Sequence, residues 1–163
     1  MIDCFIALGS NLGKRKNNIK TAIAMLEESS EITIVSESGI YESKPMYNPN
    51  LKDFYNSVVR IKTSFAPFEL LRYAQLVEKK LGRVRQKERY SNRTIDIDIL
   101  SYGDEMIDSD ELTLPHPHIK ERKFVLKPWS DIDSDYVLAR SNKKIEELLN
   151  ESEDNSTLLR VNK

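Results

Sequence analysis

The sequence is poor in residues on which several classes of protein depend: it has one cysteine, two histidines and five glycines in 163 residues. A single cysteine, Cys4, cannot form an intrachain disulfide, and its place in an apolar stretch predicts a buried thiol rather than a nucleophile. No apolar run is long enough to span a membrane. The N-terminal apolar stretch follows no basic residues and contains Asp3, a poor pattern for a signal peptide. We therefore expect a cytoplasmic protein with no membrane partner.

Neither sign of charge dominates, since 25 Lys and Arg stand against 26 Asp and Glu and give a net charge of −1. A general nucleic-acid-binding protein would usually be basic overall, so we expect no nucleic-acid partner. The sequence contains no repeat, low-complexity tract or linker rich in Pro, Gly and Ser. We expect one domain over residues 1–163, acting as a monomer, with a loose tail at 151–163.

The order of predicted elements is β-α-β-β-α-β, followed by shorter additions. Hydrophobic periodicity and Pro/Gly punctuation predict four strands and two helices, near 2–8, 14–29, 31–42, 54–62, 67–81 and 94–100. This order is the ferredoxin-like split βαβ arrangement, an α+β fold in which helices pack on an antiparallel sheet. A short strand near 105–108, a Pro-punctuated segment with one short helix, and a helix over 142–151 are predicted as C-terminal hairpin and helical additions.

The most informative segment is RVRQKERYSNRTIDIDIL, residues 83–100. Its last seven residues alternate, so the isoleucines face one side of a strand while Asp96 and Asp98 face the other. Strand residues two apart lie roughly 6.6 Å from each other, so the two carboxylates could share one divalent ion or bridge two. The loop before them carries five cations and one acid: Arg83, Arg85, Lys87, Arg89 and Arg93, with Glu88. Cations for phosphates beside carboxylates for magnesium are typical of a nucleotide site.

Each half of this segment also has an ordinary interpretation. A lone Asp-x-Asp is usually a solvated strand face, and a basic run is usually a solvated loop. The adjacency of the Asp-x-Asp and the basic run is what favours a nucleotide site.

Two other polar groups are candidates for the same site. Gln75 and Glu78 are neighbours on the second helix, away from its buried stripe, and form either a solvated face or a polar shelf beside a nucleotide. Residues 9–11, Gly-Ser-Asn, either cradle an anion or form a turn with an Asn or Ser cap.

The histidines and an aromatic–amide pair complete the candidates. His116 lies between two prolines and could donate a hydrogen bond to a phosphate, whereas a zinc site would need more ligands than the chain offers nearby. Phe54 and Asn56 share a face of the third strand. They suit a planar heterocycle, or else the Phe packs and the Asn caps a strand end.

Four segments together resemble the 6-hydroxymethyl-7,8-dihydropterin pyrophosphokinase family: ALGSNLG, FYNSVV, GRVRQKERYSNRTIDIDIL and LPHPHIKERKFVLKPW. They occur in that family's order and spacing, from residue 5 to about 130. The resemblance implies Mg-dependent transfer of the β,γ-diphosphoryl group of ATP to the hydroxymethyl group of the pterin, giving AMP, in folate biosynthesis. It also implies that two Mg²⁺ ions are required.

The resemblance assigns roles by position. Asp96 and Asp98 match the ligands of the two Mg²⁺ ions, and Arg83 and Arg93 match the arginines that hold the triphosphate during transfer. The remaining ATP-site positions are Gln75, Glu78, Arg85, Arg89, Ile99, Thr113, His116 and Arg122. The pterin-pocket positions are Ser43, Pro45, Met46, Phe54, Asn56, Tyr90 and Phe124.

Some positions depart from the family pattern. Tyr90 stands where a Trp is frequent, and Phe54 where a Tyr is common; both keep a stacking surface. Met46-Tyr47 replaces a small or Gly-containing pair, and Ser91-Asn92 replaces a Gly- or Pro-containing pair. The loops 43–53 and 85–92 are expected to be mobile without substrates and ordered with both.

Two other functions fit parts of the sequence. A nucleotide-sugar transferase could hold one metal with Asp-x-Asp, but it would need a longer chain with a preceding nucleoside-binding domain. A non-catalytic ferredoxin-like module could bind nucleotide or RNA, but the two carboxylates would repel phosphate unless metals intervened.

Overall fold

The computed structural model describes residues 1–83 and 90–161, and its main element is a six-stranded antiparallel sheet. The strands of the described ranges are β1 (Ile2–Ser10), β2 (Ile32–Glu37), β3 (Tyr41–Ser43), β4 (Phe54–Thr63), β5 (Asp96–Tyr102), β6 (Ile107–Asp108), β7 (Thr113–Leu114), β8 (Val137–Leu138), β9 (Lys143–Lys144) and β10 (Leu159–Arg160). The helices there are α1 (Arg15–Glu27), α2 (Pro67–Lys80), α3 (Lys123–Asp133) and α4 (Ile145–Glu151), with a 3₁₀ helix at Ile119–Glu121.

The sheet confirms the predicted α+β, ferredoxin-like arrangement. Its strands follow the order β10-β3-β4-β1-β5, and β2 also pairs with β4. The two longest strands, β1 and β4, pair along the whole of β1 and form the centre. The ends of β1, β4 and β5 therefore lie side by side, where side chains from three strands can meet.

The strand predicted over 31–42 is two strands, β2 and β3, which pair with different halves of β4. The break falls at Ser38, whose hydroxyl accepts a hydrogen bond from the Val58 amide at 2.9 Å and donates to the Gly39 carbonyl at 2.8 Å. A side chain that takes over a backbone partner in this way interrupts the ladder.

Each face of the sheet carries its own apolar core, because alternate strand residues point to opposite faces. Cys4, Ile6 and Leu8 of β1 pack with α1 and α2, and the thiol of Cys4 is fully buried, as predicted. Phe5 of β1 packs on the opposite face with Trp129 of α3. The second core also contains Val58, Leu100, Ile119, Val125, Leu126, Leu138, Ile145 and Leu148.

Two C-terminal predictions need correction. The Pro-punctuated segment contains, besides the 3₁₀ turn, the eleven-residue α3, which continues through Pro128 because Val125, Leu126 and Trp129 bury one face. The last helix begins at Ile145 rather than 142, because Lys143–Lys144 pairs with β8.

The tail contacts the rest of the chain over 152–161. Leu159–Arg160 forms β10, which pairs with the outer edge of β3. An edge strand offers unpaired N–H and C=O groups to any nearby chain, and the tail supplies their partners. Among the described residues, no helix is both long and apolar enough to cross a membrane.

Candidate active site

A cavity of about 520 Å³ opens at the ends of β1, β4 and β5, on the face of the sheet covered by α3. Fifteen of the site residues predicted from the sequence line it. They are Ser43, Pro45, Met46, Phe54, Asn56, Gln75, Glu78, Arg83, Tyr90, Arg93, Asp96, Asp98, His116, Arg122 and Phe124. Residues distant in sequence are thus brought to one place by the sheet.

The floor of the cavity is made of small residues on the central strand. Gly9 pairs with Asn56 of β4 on one side and with Asp96 of β5 on the other. Ala7 holds the same place in the next row on this face, with Asp98 as its β5 partner. The flanking strands β4 and β5 therefore carry large side chains on this face, while the central strand β1 carries small ones. The difference in side-chain size leaves the space of the cavity.

Asp96 lies between two arginines. Arg83 donates from Nη1 to Asp96 Oδ1 at 3.0 Å, and Arg93 Nη1 lies 3.3 Å from Asp96 Oδ2. Burial alone would lower the pKa of Arg83, but Asp96 and Glu78 outweigh it and raise that pKa above its ordinary value. Guanidinium groups form bidentate hydrogen bonds with phosphate oxygens, which suits both arginines to bind a phosphate.

Glu78 is buried rather than on an exposed helix face, which corrects the expectation that it lies away from the buried stripe of α2. Its carboxylate accepts a hydrogen bond from the Ile97 amide at 2.8 Å and another from Arg83. Burial raises the pKa of Glu78 against the opposing effect of Arg83. Glu78 therefore joins α2 to β5 and fixes the guanidinium that also holds Asp96.

The Asp98 carboxylate has no hydrogen-bond or ion-pair partner within residues 1–83 and 90–161. Burial, and then the neighbouring charge of Asp96, raise its pKa to about 8. An unpartnered carboxylate beside a second one is a group that a divalent cation would stabilise. The described residues contain no cluster of three or more His, Cys, Asp or Glu that could hold a metal, so further oxygen ligands would have to come from substrate and water.

His116 is neutral at physiological pH. Burial, and next the charge of Arg122, lower its pKa to about 4. Its Nδ1 accepts a hydrogen bond from the His118 amide at 3.2 Å, so the hydrogen of the neutral ring is on Nε2. His116 can therefore act as a fixed hydrogen-bond donor without adding charge.

The cavity also presents an oriented amide, that of Asn56. Asn56 donates from Nδ2 to the Tyr41 carbonyl at 3.1 Å and to Ser43 Oγ at 2.8 Å. Both donor hydrogens are thereby used, and Oδ1 remains beside Gly9 as an acceptor. Phe54 on β4 and Phe124 on α3 also line the cavity. The ordinary alternative, an Asn that only caps a strand end, does not describe this arrangement.

Asn11 joins the site through contacts that the sequence did not reveal. It is 1% exposed, and its Oδ1 accepts a hydrogen bond from the Arg93 amide at 2.7 Å. Its Nδ2 donates to the Lys52 carbonyl at 3.0 Å and to Asn92 Oδ1 at 2.8 Å, while the Lys52 amide donates to that same Oδ1 at 3.0 Å. These partners are 41 or more residues from Asn11, so no local pattern could have indicated them.

Tyr47 of the 43–53 loop also lines the cavity. Its ring stacks on that of Tyr90, with centroids 4.5 Å apart and planes inclined by 18°. Arg122 donates from Nε to the Tyr47 hydroxyl at 3.1 Å, and the Arg122 guanidinium lies 5.8 Å from the Phe124 ring centre. One side chain of the 43–53 loop thus contacts residues predicted for both substrates.

Four predicted residues are not brought into the cavity by the described structure. Ile99 is 4% exposed and packs in the core beneath α1 and α2, on the opposite face from Asp96 and Asp98. Thr113 lies in β7 and donates to the Ser109 carbonyl at 3.4 Å. Arg85 and Arg89 lie outside the described residues.

The sequence matches the family model of 7,8-dihydro-6-hydroxymethylpterin-pyrophosphokinase (HPPK) over residues 5–134. The 2-amino-4-hydroxy-6-hydroxymethyldihydropteridine pyrophosphokinase of Bacillus subtilis is 43% identical over 128 residues, which are 78% of this chain and 76% of that protein. The protein of the same name from Haemophilus influenzae is 40% identical over 141 residues, 86% of this chain and 88% of the relative.

Longer relatives contain the same region as one part. The folate synthesis bifunctional protein of Arabidopsis thaliana is 40% identical over 140 residues, which cover 82% of this chain but 29% of that protein. Among solved structures, Plasmodium falciparum HPPK-DHPS with pteroate superposes with a TM-score of 0.74 at 17% identity, over 91% of this chain and 44% of that chain. At that identity the superposition supports the fold alone.

Proposed function

We propose a function from the premise that the chain belongs to the 7,8-dihydro-6-hydroxymethylpterin-pyrophosphokinase family. The chain transfers the β,γ-diphosphoryl group of ATP to the hydroxymethyl group of 6-hydroxymethyl-7,8-dihydropterin and releases AMP, a step of folate biosynthesis. The observation that carries this proposal is the joint placement of Asp96 and Asp98, the two arginines around Asp96, and the oriented amide of Asn56 in one cavity.

The phosphate end of the cavity contains side chains that carry positive charge or donate hydrogen bonds. Arg83 and Arg93 approach Asp96 from two sides, and the triphosphate would bind between them. His116 adds a neutral donor from Nε2, and Arg122 adds a further cation at the mouth. Fixed donors of this kind stabilise charge that develops on phosphate oxygens, without reorganisation during the reaction.

Two Mg²⁺ ions would be held by Asp96 and Asp98, together with phosphate oxygens and water. Such ions neutralise the phosphate charge and hold the transferred group in line with the attacking oxygen. Mg²⁺ is commonly bound by one or two carboxylates plus substrate phosphates. The buried Asp98 carboxylate beside Asp96, and the absence among the described residues of a cluster of three or more His, Cys, Asp or Glu that could hold a metal, fit a site of this type.

The pterin end selects a planar heterocycle that carries N–H donors. Asn56 Oδ1 accepts from a ring or exocyclic N–H, because the amide hydrogens already bind Tyr41 and Ser43. Phe54 and Phe124 contact the two ring faces. The row Asn56–Gly9–Asp96 spans two strand spacings, about 9.6 Å, so the bound ring extends from the amide toward the carboxylates.

In the proposed reaction the β-phosphorus of ATP is attacked. The pterin hydroxymethyl oxygen bonds to the β-phosphorus and releases its proton to water, and the bond from the β-phosphorus to the oxygen that bridges to the α-phosphorus breaks. The leaving group is therefore AMP. Arg83 and Arg93 hold the β- and γ-phosphates as one unit during this displacement.

Each group invoked here comes from a single chain, and we propose that a monomer in the cytoplasm is sufficient.

The product ratio tests the proposal. Purified protein incubated with ATP, Mg²⁺ and 6-hydroxymethyl-7,8-dihydropterin should form AMP and pterin diphosphate in equal amounts, as resolved by chromatography. A parallel reaction without the pterin should release no AMP. Formation of ADP with a pterin monophosphate, or an absence of pterin-dependent turnover, would contradict the assignment.

A further inference from the structure

The segment C-terminal to α4, residues 152–161, lies outside the part of the chain that matches the family model. Nevertheless it contacts two elements that form the pterin end of the cavity. Its first half reaches the beginning of α3, and its second half pairs with β3. A segment that links these two elements can position the side chains they carry.

The first contact is a cap on α3 that comes from Asp154, 31 residues from Lys123 in the sequence. Arg122, which precedes α3, makes no side-chain capping hydrogen bond. Instead Asp154 Oδ2 accepts a hydrogen bond from the Lys123 amide at 3.1 Å. The first amides of a helix have no partner within the helix, and a carboxylate at this end also interacts favourably with the helix dipole.

Asp154 is itself held in a defined conformation. Its amide donates to Ser152 Oγ at 3.2 Å, and its Oδ1 accepts from the Ser156 amide at 2.9 Å. Lys123 Nζ donates to the Ser156 carbonyl at 3.1 Å. Burial alone would raise the pKa of Asp154. The hydrogen bonds from Ser156 and Lys123 outweigh burial and lower that pKa below its ordinary value, so the carboxylate is ionised at neutral pH.

The capped residue stands between two residues of the site. Arg122 and Phe124 both line the cavity, one on either side of Lys123. The position of the first turn of α3 therefore determines where the guanidinium and the ring lie. Further along, Val161 donates from its amide to the Ile40 carbonyl at 2.8 Å, just before β3, which ends at the Ser43 that binds Asn56.

We propose that Asp154 is a positioning residue for the pterin end of the site. By capping α3 at Lys123 it holds Phe124 and Arg122 in the orientation that binds the heterocycle. The identity of the ligand rests on the proposed function, whereas the cap and its effect on α3 do not.

Three variants test the inference. Asp154→Ala removes the cap, and Asp154→Asn keeps an acceptor oxygen but removes the charge. Glu153→Ala is the matched control, because it deletes a carboxylate from the adjacent exposed position. The fluorescence of Trp129, the single tryptophan of the chain, which is fully buried within α3, reports whether that helix remains folded in each variant.

Two measurements are made on the full-length proteins. Amide exchange at Lys123 and Phe124 should be at least tenfold faster in Asp154→Ala than in Glu153→Ala. The KM for the pterin should rise about fivefold while kcat stays within twofold, and Asp154→Asn should lie between Asp154→Ala and the wild type in both measurements. A purely structural defect would instead reduce kcat in proportion to the folded fraction.

The proposal is overturned if Asp154→Ala matches Glu153→Ala in exchange, or if exchange accelerates while the KM for the pterin is unchanged. Binding of the pterin to the wild type without turnover would contradict the proposed reaction but leave the positioning test intact, with Kd in place of KM. Exchange at Lys123 needs no substrate, so it decides the capping role even if the proposed function fails.

Discussion

Asn56 and Asp96 lie in one row of the sheet, on the two strands that flank β1, and the residue between them is Gly9. The hydrogen-bond acceptor and the carboxylate are thus held at a fixed separation by backbone pairing rather than by loops. A Cβ on Gly9 would lie 3.7 Å from Phe54 Cδ1 and 3.8 Å from Asn56 Oδ1, which is ordinary contact. The row therefore tolerates one added carbon, whereas a larger side chain would extend into the cavity.

Substitution at Gly9 should separate substrate binding from folding. Gly9→Val places methyl groups beside Asn56 and Phe54, in the cavity space proposed for the ring, and crowding of the bound ring should cost about 1–3 kcal/mol of binding, by analogy with overpacking in a core. We expect the KM for the pterin to rise roughly 5- to 150-fold. Gly9→Ala is the matched control and should stay close to wild type. A Gly9→Val protein that binds the pterin normally would show that the ring does not lie over this row.

The carboxylate pair should be essential for turnover but not for folding. Asp96→Asn or Asp98→Asn removes charge from the proposed metal site, and positioning supplies most of the rate in phosphoryl transfer. We expect kcat to fall by several orders of magnitude at saturating Mg²⁺. Asp110→Asn, at an exposed position, serves as control. Near-normal activity of either folded site variant would mean that the two ions are bound elsewhere.

Tyr47 should keep the 43–53 loop closed over the site. Tyr47→Phe preserves the stack on Tyr90 but loses the hydrogen bond from Arg122, whereas Tyr47→Ala loses both. We expect amide exchange of residues 46–51 to increase in the order wild type, Phe, Ala. The addition of an ATP analogue with the pterin should slow this exchange in the wild type. Equal protection with and without both ligands would argue against a lid.

The thiol of Cys4 should be inert in the folded protein. Burial, followed by the charge of Asp3, raises its pKa from 9.0 to about 12, so the reactive thiolate is absent at pH 8. A thiol-specific chromophoric reagent should label the native protein only at the rate of unfolding, and should label it at once in denaturant. Since the unfolded thiol ionises near pH 9 and the folded one near 12, this group should also lower stability as pH rises through that interval.

Features that depend on one local pattern could be predicted from the sequence. The alternation of 94–100 placed Asp96 and Asp98 on one face, and the order of elements indicated the fold. The resemblance to the pterin pyrophosphokinases is confirmed by the family match, so the two alternatives, a nucleotide-sugar transferase and a non-catalytic module, are wrong. Local patterns sufficed because strand periodicity and element order are determined over short stretches of chain.

Features that depend on a distant partner could not be predicted. Glu78 has the spacing of an exposed helix residue, and only the approach of Ile97 and Arg83 explains its burial. The tail of the chain is polar and looks unstructured until the free edge of β3 and the first turn of α3 supply its partners. The contacts of Asn11 span 41 to 82 residues for the same reason.

The shared oxygen of Asn92 gives the two substrates a thermodynamic connection. Asn11 and the Lys52 amide both donate to it, so the end of the 43–53 loop and the chain just before Arg93 are joined at one atom. When one substrate orders either segment, part of the conformational entropy of the other has already been lost. The second substrate then binds at a smaller entropic cost, and each should tighten the binding of the other by the same factor.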